Sequence, residues 1–220
     1  MWCTSKISNY LFRAIKTKVV TEQDSLADIV ASYAKPYLRQ GDILILSEKM
    51  VACAQGRALP VSLIKPGFIA RLLSRFVTKS SAGSNLAVPE AMQCAVDECG
   101  RIRILLAAAA GAVGKLLRQK GWFYIVAGYK ASCIDAPSAH TIPPYNKYVI
   151  LAPLRPDRTA SSIAKTLDDT VVLIVDVNDL GARILGSSKK IDDELIMDLL
   201  RDNPLGQADE STPMGILRAA

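Results

Sequence analysis

The stretch VVLIVDVNDLGARILG, Val171 to Gly186, sets two acids and an amide at the mouth of an apolar run. Asp176 directly follows a segment whose β-branched residues mark a buried strand. Asn178 and Asp179 stand close behind it, and Gly181 releases the chain. Oxygen donors gathered at one point suit a hard cation such as Mg²⁺, Mn²⁺ or Ca²⁺. The same residues suit an Asx turn that closes a strand, so site and turn both stand. A calcium loop is excluded, because no glutamate occupies the twelfth place of its pattern.

Three further stretches carry side chains fit for chemistry. GYKASCIDAPS, Gly128 to Ser138, holds Lys130 and Asp135 ahead of Pro137. The apolar run before it, Trp122 to Ala127, reads as a strand, and loops after strands are favoured places for sites. A capped turn explains Asp135 equally simply. DNPLGQADESTP, Asp202 to Pro213, needs its Pro and Gly for turns, but turns do not require Gln207, Asp209 and Glu210 together. SEKMVACAQGR, Ser47 to Arg57, offers Lys49 and Arg57 to a phosphate or carboxylate, or is simply a solvated basic loop. AAAAGAVGKLL is a decoy. It looks like half a phosphate-binding loop, but Ala109 replaces the first glycine and Leu116 the hydroxyl that would reach a metal. A closely packed small-residue helix or strand is the expectation there.

The elements that must hold these residues alternate. DSLADIVASYAKPYL predicts a helix with Asp24 as N-cap, Leu26, Ile29, Val30 and Tyr33 on one face, and Pro36 near its end. A buried strand is expected over Ile43 to Leu46. KPGFIARLLSRFVTK predicts an amphipathic helix with Phe68, Ile69, Leu72, Leu73 and Phe76 inward and Arg71 and Arg75 outward. Ser80 to Asn85 reads as a flexible loop, and a helix starts at Pro89. Strands are expected at Trp122 to Ala127, Tyr148 to Leu151 and Val171 to Val175, with helices at Arg158 to Leu167 and Asp192 to Arg201. The proline-rich loop SAHTIPPYNKY is long enough to be functional. The interleaving predicts a mixed α/β or α+β class. One unit is expected, with a helical subdomain at about residues 64–120.

Composition narrows the functional classes. A chain of 220 residues can bury roughly 70% of its unfolded surface without disulfides. The 5 cysteines are scattered with no C-x-x-C pair, which argues against a zinc site or disulfide framework and fits a reducing cytosol. His140 is the only histidine, so a His-rich metal centre is excluded. The net charge of +6 suits phosphate-bearing small molecules as well as nucleic acid or anionic surfaces. No signal-peptide core lies in Met1 to Arg13, and the longest apolar run, Ile104 to Gly114, falls short of the ~20 residues that span a bilayer. A cytoplasmic protein with no membrane partner is expected.

Taken in order, these stretches resemble the coenzyme F-420 gamma-glutamyl ligase family from about Leu26 to Ile216, closest to a ligase-like branch. GDILILSEKMVACAQGR resembles the family's strand and "EGR"-type loop, and GYKASCIDAPS its "GVD-x-SN" loop. VVLIVDVNDLGARILG is similar to its strand ending in Asp before a "GR" turn, and NPLGQADESTPMGI to its "GQTD" segment. The resemblance implies GTP-dependent ligation: glutamate joined through its amine to a carboxylate of a deazaflavin precursor, by way of an acyl phosphate. It implies Mn²⁺ or Mg²⁺ held by Asp135 and Asp176, a catalytic role for these two and Lys49, and nucleotide or acceptor contacts from Lys49, Arg57, Lys130, Ser138, Asn178, Gln207 and Asp209. It also implies a homodimer.

The departures are specific. Ala52-Cys53 stands where the ligases carry Ser-Lys, so a nucleotide-contacting lysine is missing. Ser138 replaces an asparagine, and Val177 a hydroxyl residue. A non-catalytic nucleotide- or metal-binding regulatory protein on the same scaffold is therefore the alternative. Nucleic-acid binding has only the basic charge in its favour, with no binding motif and no interleaved aromatics.

Overall fold

The computed structural model describes residues 3–4, 10–77, 85–139, 141–178, 181–206 and 211–219. In chain order the elements are β1 (Cys3–Thr4), β2 (Tyr10–Ile15), α1 (Leu26–Tyr33), β3 (Ile43–Ser47) and α2 (Glu48–Ala54). Next come β4 (Ala58–Pro60), α3 (Phe68–Ser74), α4 (Pro89–Cys99), α5 (Arg101–Leu116), α6 (Trp122–Ala127), α7 (Tyr129–Ser132) and β5 (Tyr148–Ile150). The chain closes with α8 (Pro156–Lys165), β6 (Val171–Asn178), β7 (Gly181–Ser187), α9 (Asp193–Leu200) and β8 (Met214–Ala219). The class is α+β, and the chain divides into two compact units: residues 1–57 with 153–220, and residues 58–152.

The first unit is built on a mixed sheet with strand order β1-β2-β8-β3-β6-β7. β3 runs parallel to β6, Leu44 beside Val172 and Leu46 beside Ile174, and antiparallel to β8 on its other side. Alternation along each strand feeds two cores. Leu44, Leu46, Val172 and Ile174 pack with Ile29, Val30 and Ile163 of α1 and α8, whereas Ile45, Leu173 and Val175 pack with Ile196 and Leu200 of α9. These near-continuous apolar strands are what a sheet covered on both faces demands.

The register of β3 is pinned at its start. Asp42, 2% exposed, accepts from Arg218 Nε at 2.7 Å, Arg218 Nη2 at 2.6 Å and the Arg39 N–H at 2.7 Å. The bidentate bond holds the Arg218 guanidinium even more firmly protonated than usual. α1 begins one residue later than expected: Ser25 is the N-cap, accepting from Asp28 N at 3.3 Å. Asp24 instead accepts from Thr21 N at 2.8 Å and from Lys18, so it closes the preceding turn.

The second unit is mainly helical, with β4 and β5 as a small antiparallel pair. Its core joins Ala70, Leu86, Met92, Ala95, Ile104, Ala107, Ala127, Ile134 and Val149. Two expectations fail here. Trp122 to Ala127 is a helix, α6, and not a strand. It packs against the small residues of α5, where a Cβ on Gly111 would lie 3.2 Å from Phe123 Cβ, and this packing overrides β propensity. α3 keeps Ile69 and Leu73 against the core and Arg71 and Arg75 outside as expected, but not its other large residues. Ala70 and Ser74 are buried, while Phe68 is 80% and Phe76 68% exposed. The loop expected over Ser80 to Asn85 lies, up to Ser84, outside the described residues, as does His140. The AAAAGAVG run is helical, within α5, as its small residues suggest.

Candidate functional site

In the first unit β3 ends beside β6, its parallel neighbour. Ser47 of β3 is paired with Val175 of β6, and the residue after each in the chain is an acid, Glu48 at the start of α2 and Asp176 within β6. The alternation that buries Val172 and Ile174 on one face carries forward along β6 to Asp176. The carboxylate oxygens of Glu48 and Asp176 lie within 4.8 Å of each other. Carboxyl ends of parallel strands are where open α/β sheets form their sites, because backbone direction aims the residues beyond both strands outward at one point.

Local structure fixes each acid. Ser47 caps α2, its hydroxyl accepting from Met50 N at 3.3 Å, so Glu48 occupies the first helical turn and is 5% exposed. Met50 and Val51 anchor that turn in the core. At the far end of α2, Leu154 N–H donates to Gln55 Oε1 at 2.7 Å, and Gln55 Nε2 donates to the Leu154 carbonyl at 3.1 Å and the Thr159 hydroxyl at 3.2 Å. Asp176 is held differently. β6 continues through it to Asn178 and pairs with β7 as a hairpin, so the expected break after Val175 is absent. The ladder slips between Ile174 and Val175, where Leu185 of β7 has no opposite number. Such a bulge twists the end of a strand and re-aims the side chains beyond it. Directly opposite Asp176 in register stands Arg183, a cation on the same face.

Neither Glu48 nor Arg183 stands out in the sequence. The signal for Glu48 is an acid immediately after an apolar strand, the same feature that marks Asp176. It counts only once the two strands are known to be parallel neighbours. Arg183 stands seven residues after Asp176, a spacing that acquires meaning only from the hairpin.

The other expected site residues belong some to one unit and some to the other. Lys49 is exposed on α2, so the middle of SEKMVACAQGR, Glu48–Ala54, is a helix rather than a basic loop. Arg57, half-buried, lies just past that helix, its N–H donating to the Ala52 carbonyl at 2.9 Å. Asn178 ends β6. Asp135, Lys130 and Ser138 belong to the second unit. The Asp135 backbone exchanges two hydrogen bonds with Ile150, 2.8 and 3.0 Å, which ties its loop to β5. Lys130, on α7, makes an ion pair with Glu98 at 3.4 Å. Its segment comes after a helix, not a strand. Cys53, where the resemblance wants a lysine, is buried in α2 at 5% exposure. Asp179, Gln207, Asp209 and Glu210 lie outside the described residues.

The donor set at β3 and β6 suits a divalent ion. Two carboxylates at this separation repel by roughly 3 kcal/mol at an effective dielectric of about 20. A span of at most 4.8 Å is about twice a metal–oxygen distance of ~2.0–2.6 Å, within a small side-chain adjustment. Oxygen ligands favour magnesium, manganese or calcium over zinc or copper.

A family model described as F420-0:Gamma-glutamyl ligase matches residues 14–190. A comparison with curated proteins found no match.

Proposed function

The chain belongs to the F420-0:gamma-glutamyl ligase family, and we propose on that basis that it is a metal-dependent, GTP-using amide ligase. Its substrates in this reading are a nucleotide, an amino acid such as glutamate, and a small-molecule carboxylate of the coenzyme F-420 type or a similar phosphorylated acceptor. The observation that carries the metal part is the convergence of Glu48 and Asp176 at the carboxyl ends of β3 and β6. In the proposed reaction a carboxylate oxygen of the acceptor attacks the γ-phosphorus of GTP, and the β–γ bridging bond breaks to release GDP. The amine then attacks the acyl carbon, inorganic phosphate leaves, and the amine proton passes to solvent or base.

Bound Mn²⁺ or Mg²⁺ would supply neutralisation of phosphate charge as it develops. Glu48 and Asp176 would hold it, with oxygens kept in place by the α2 cap and the β6–β7 hairpin. Asp135 is proposed as a further metal ligand from its motif alone. Arg183 offsets the charge of the acid opposite it, and Lys49, exposed on α2, is proposed to meet phosphate. Arg57, Lys130, Ser138, Asn178, Gln207 and Asp209 keep their proposed binding roles from the same resemblance. For Lys130 that role requires exchange of its Glu98 partner for a substrate anion. A homodimer and a cytoplasmic location complete the proposal.

The burial of Cys53 favours a second reading, a nucleotide-binding protein without ligase turnover, because no lysine side chain reaches out from that place. GDP release measured with Mn²⁺, GTP, glutamate and a panel of phosphorylated carboxylic acids decides between them. Acceptor-dependent GDP release that falls in Asp176→Asn supports the ligase. GTP binding by calorimetry with no acceptor-dependent release supports the second reading, and no GTP binding at all refutes both.

A further inference from the structure

The net positive charge of this protein resides in its helical unit. Residues 58–152 contain eleven Lys and Arg against four Asp and Glu, a net of +7, while the whole chain is +6. Between Glu98 and Asp135 there is no acid at all. Within that stretch α5 is packed the wrong way round for a water-soluble helix. Its buried side consists of Ile104, Ala107 and Gly114. Its outer side shows Ile102 at 76% exposure, Leu105 at 47%, Leu106 at 60%, Val113 at 48% and Leu116 at 83%. These positions recur at three- and four-residue spacing and its multiples, so they form one stripe.

The orientation is enforced from within. A Cβ at Gly114 would stand 2.9 Å from the Gln119 carbonyl oxygen and 3.0 Å from Trp122 Cγ, so only glycine lets α6 approach here. α5 therefore cannot rotate to hide its leucines. Away from the stripe, Lys115 Nζ donates to the Phe76 carbonyl at 2.6 Å, which ties the end of α3 to the last turn of α5. Arg101, Arg118 and Lys120 stand at the two ends of the stripe, all exposed, whereas Arg103 Nε donates to the Val126 carbonyl at 2.8 Å. No described helix is long and apolar enough to cross a membrane.

Against the expectation of no membrane partner, we propose that this face of the helical unit docks on an anionic lipid surface, with the α5 stripe entering the acyl boundary and the flanking cations meeting the headgroups. Charge decides the occupant. A second copy laid on the same face would set cations against cations with no acid between Glu98 and Asp135 to relieve them, whereas anionic lipid complements both the charge and the apolar stripe. Nucleic acid would match the charge but leave the leucines in water. The inference is independent of the proposed ligase chemistry, since none of its residues belongs to that site.

The test is co-sedimentation of the full chain with vesicles of phosphatidylglycerol mixed into phosphatidylcholine, and with phosphatidylcholine alone, at low and high salt. Wild-type protein is expected to sediment with the mixed vesicles, less at high salt, and weakly with the zwitterionic ones. The double variant Arg101→Glu, Lys120→Glu loses roughly fivefold in partition for each cation removed, before any repulsion is added. Leu116→Ser, at an exposed position, weakens binding while far-ultraviolet dichroism and melting stay as in the wild type. Three results overturn the proposal: no sedimentation with anionic vesicles, equal binding to both vesicle types, or a dimer seen by light scattering that Leu116→Ser splits while no vesicle binds. GDP release is read in parallel without lipid, so failure of lipid binding leaves the ligase reading untouched.

Discussion

Replacing Glu48 by Gln keeps the shape of the first turn of α2 and removes one charge from a pair whose oxygens lie within 4.8 Å. At that distance the mutual repulsion is about 3 kcal/mol at an effective dielectric of about 20, and offsetting it is one of the gains a bound dication provides. Manganese at about 100 times its dissociation constant stabilises the wild type by about 2.7 kcal/mol. For a chain of this length that corresponds to a rise in melting temperature of about 5–10 °C. Losing roughly 3 kcal/mol of site affinity weakens binding more than a hundredfold. The same manganese then stabilises Glu48→Gln by only a few tenths of a kcal/mol, about 1 °C. Differential scanning calorimetry with EDTA and with graded MnCl₂ measures both shifts, and Asp176→Asn should behave in the same way. An unshifted wild type refutes the metal site. A Glu48→Gln melting temperature that rises as far as the wild type's refutes the role given to Glu48.

Other expectations concern the frame that holds this site. Asp42→Ala strips a buried ion pair of one member and strands Arg218, so urea unfolding should show a loss of about 3 kcal/mol. Gly186→Ala places a Cβ 2.4 Å from the Pro156 carbonyl carbon, where β7 meets α8, and a loss of about 2 kcal/mol is expected in thermal melts. Burial pushes the Cys99 thiol up, so less thiolate exists at a given pH than for a free cysteine. Iodoacetamide labelling of Cys99, read by peptide mass spectrometry, should therefore accelerate only at a higher pH than labelling of a small thiol.

Local pattern is enough for the elements whose residues report their own environment. β3 and the buried part of β6 read as strands because runs such as ILIL and VVLIV have few other stable uses. α1, α4, α8 and α9 are legible through caps, prolines and apolar spacing, though the cap of α1 falls to Ser25 because Asp24 is already committed to Thr21 and Lys18. Where pattern misleads, a neighbour from another part of the helical unit is responsible. Trp122 to Ala127 has the composition of a strand, but the small face of α5 accepts it as a helix. Phe68 and Leu72 of α3 would face inward on its own periodicity, yet the core takes Ala70 and Ser74.

What the chain determined by itself is an α+β protein of the gamma-glutamyl ligase family with an acid at the end of a buried strand, since identity, alternation and short-range spacing are written in order along it. Which second acid joins Asp176 was a tertiary decision. Glu48 and Asp176 are far apart in sequence, and only parallel pairing of β3 with β6 sets them side by side. Register is a property of two strands at once, so no single stretch of sequence contains it.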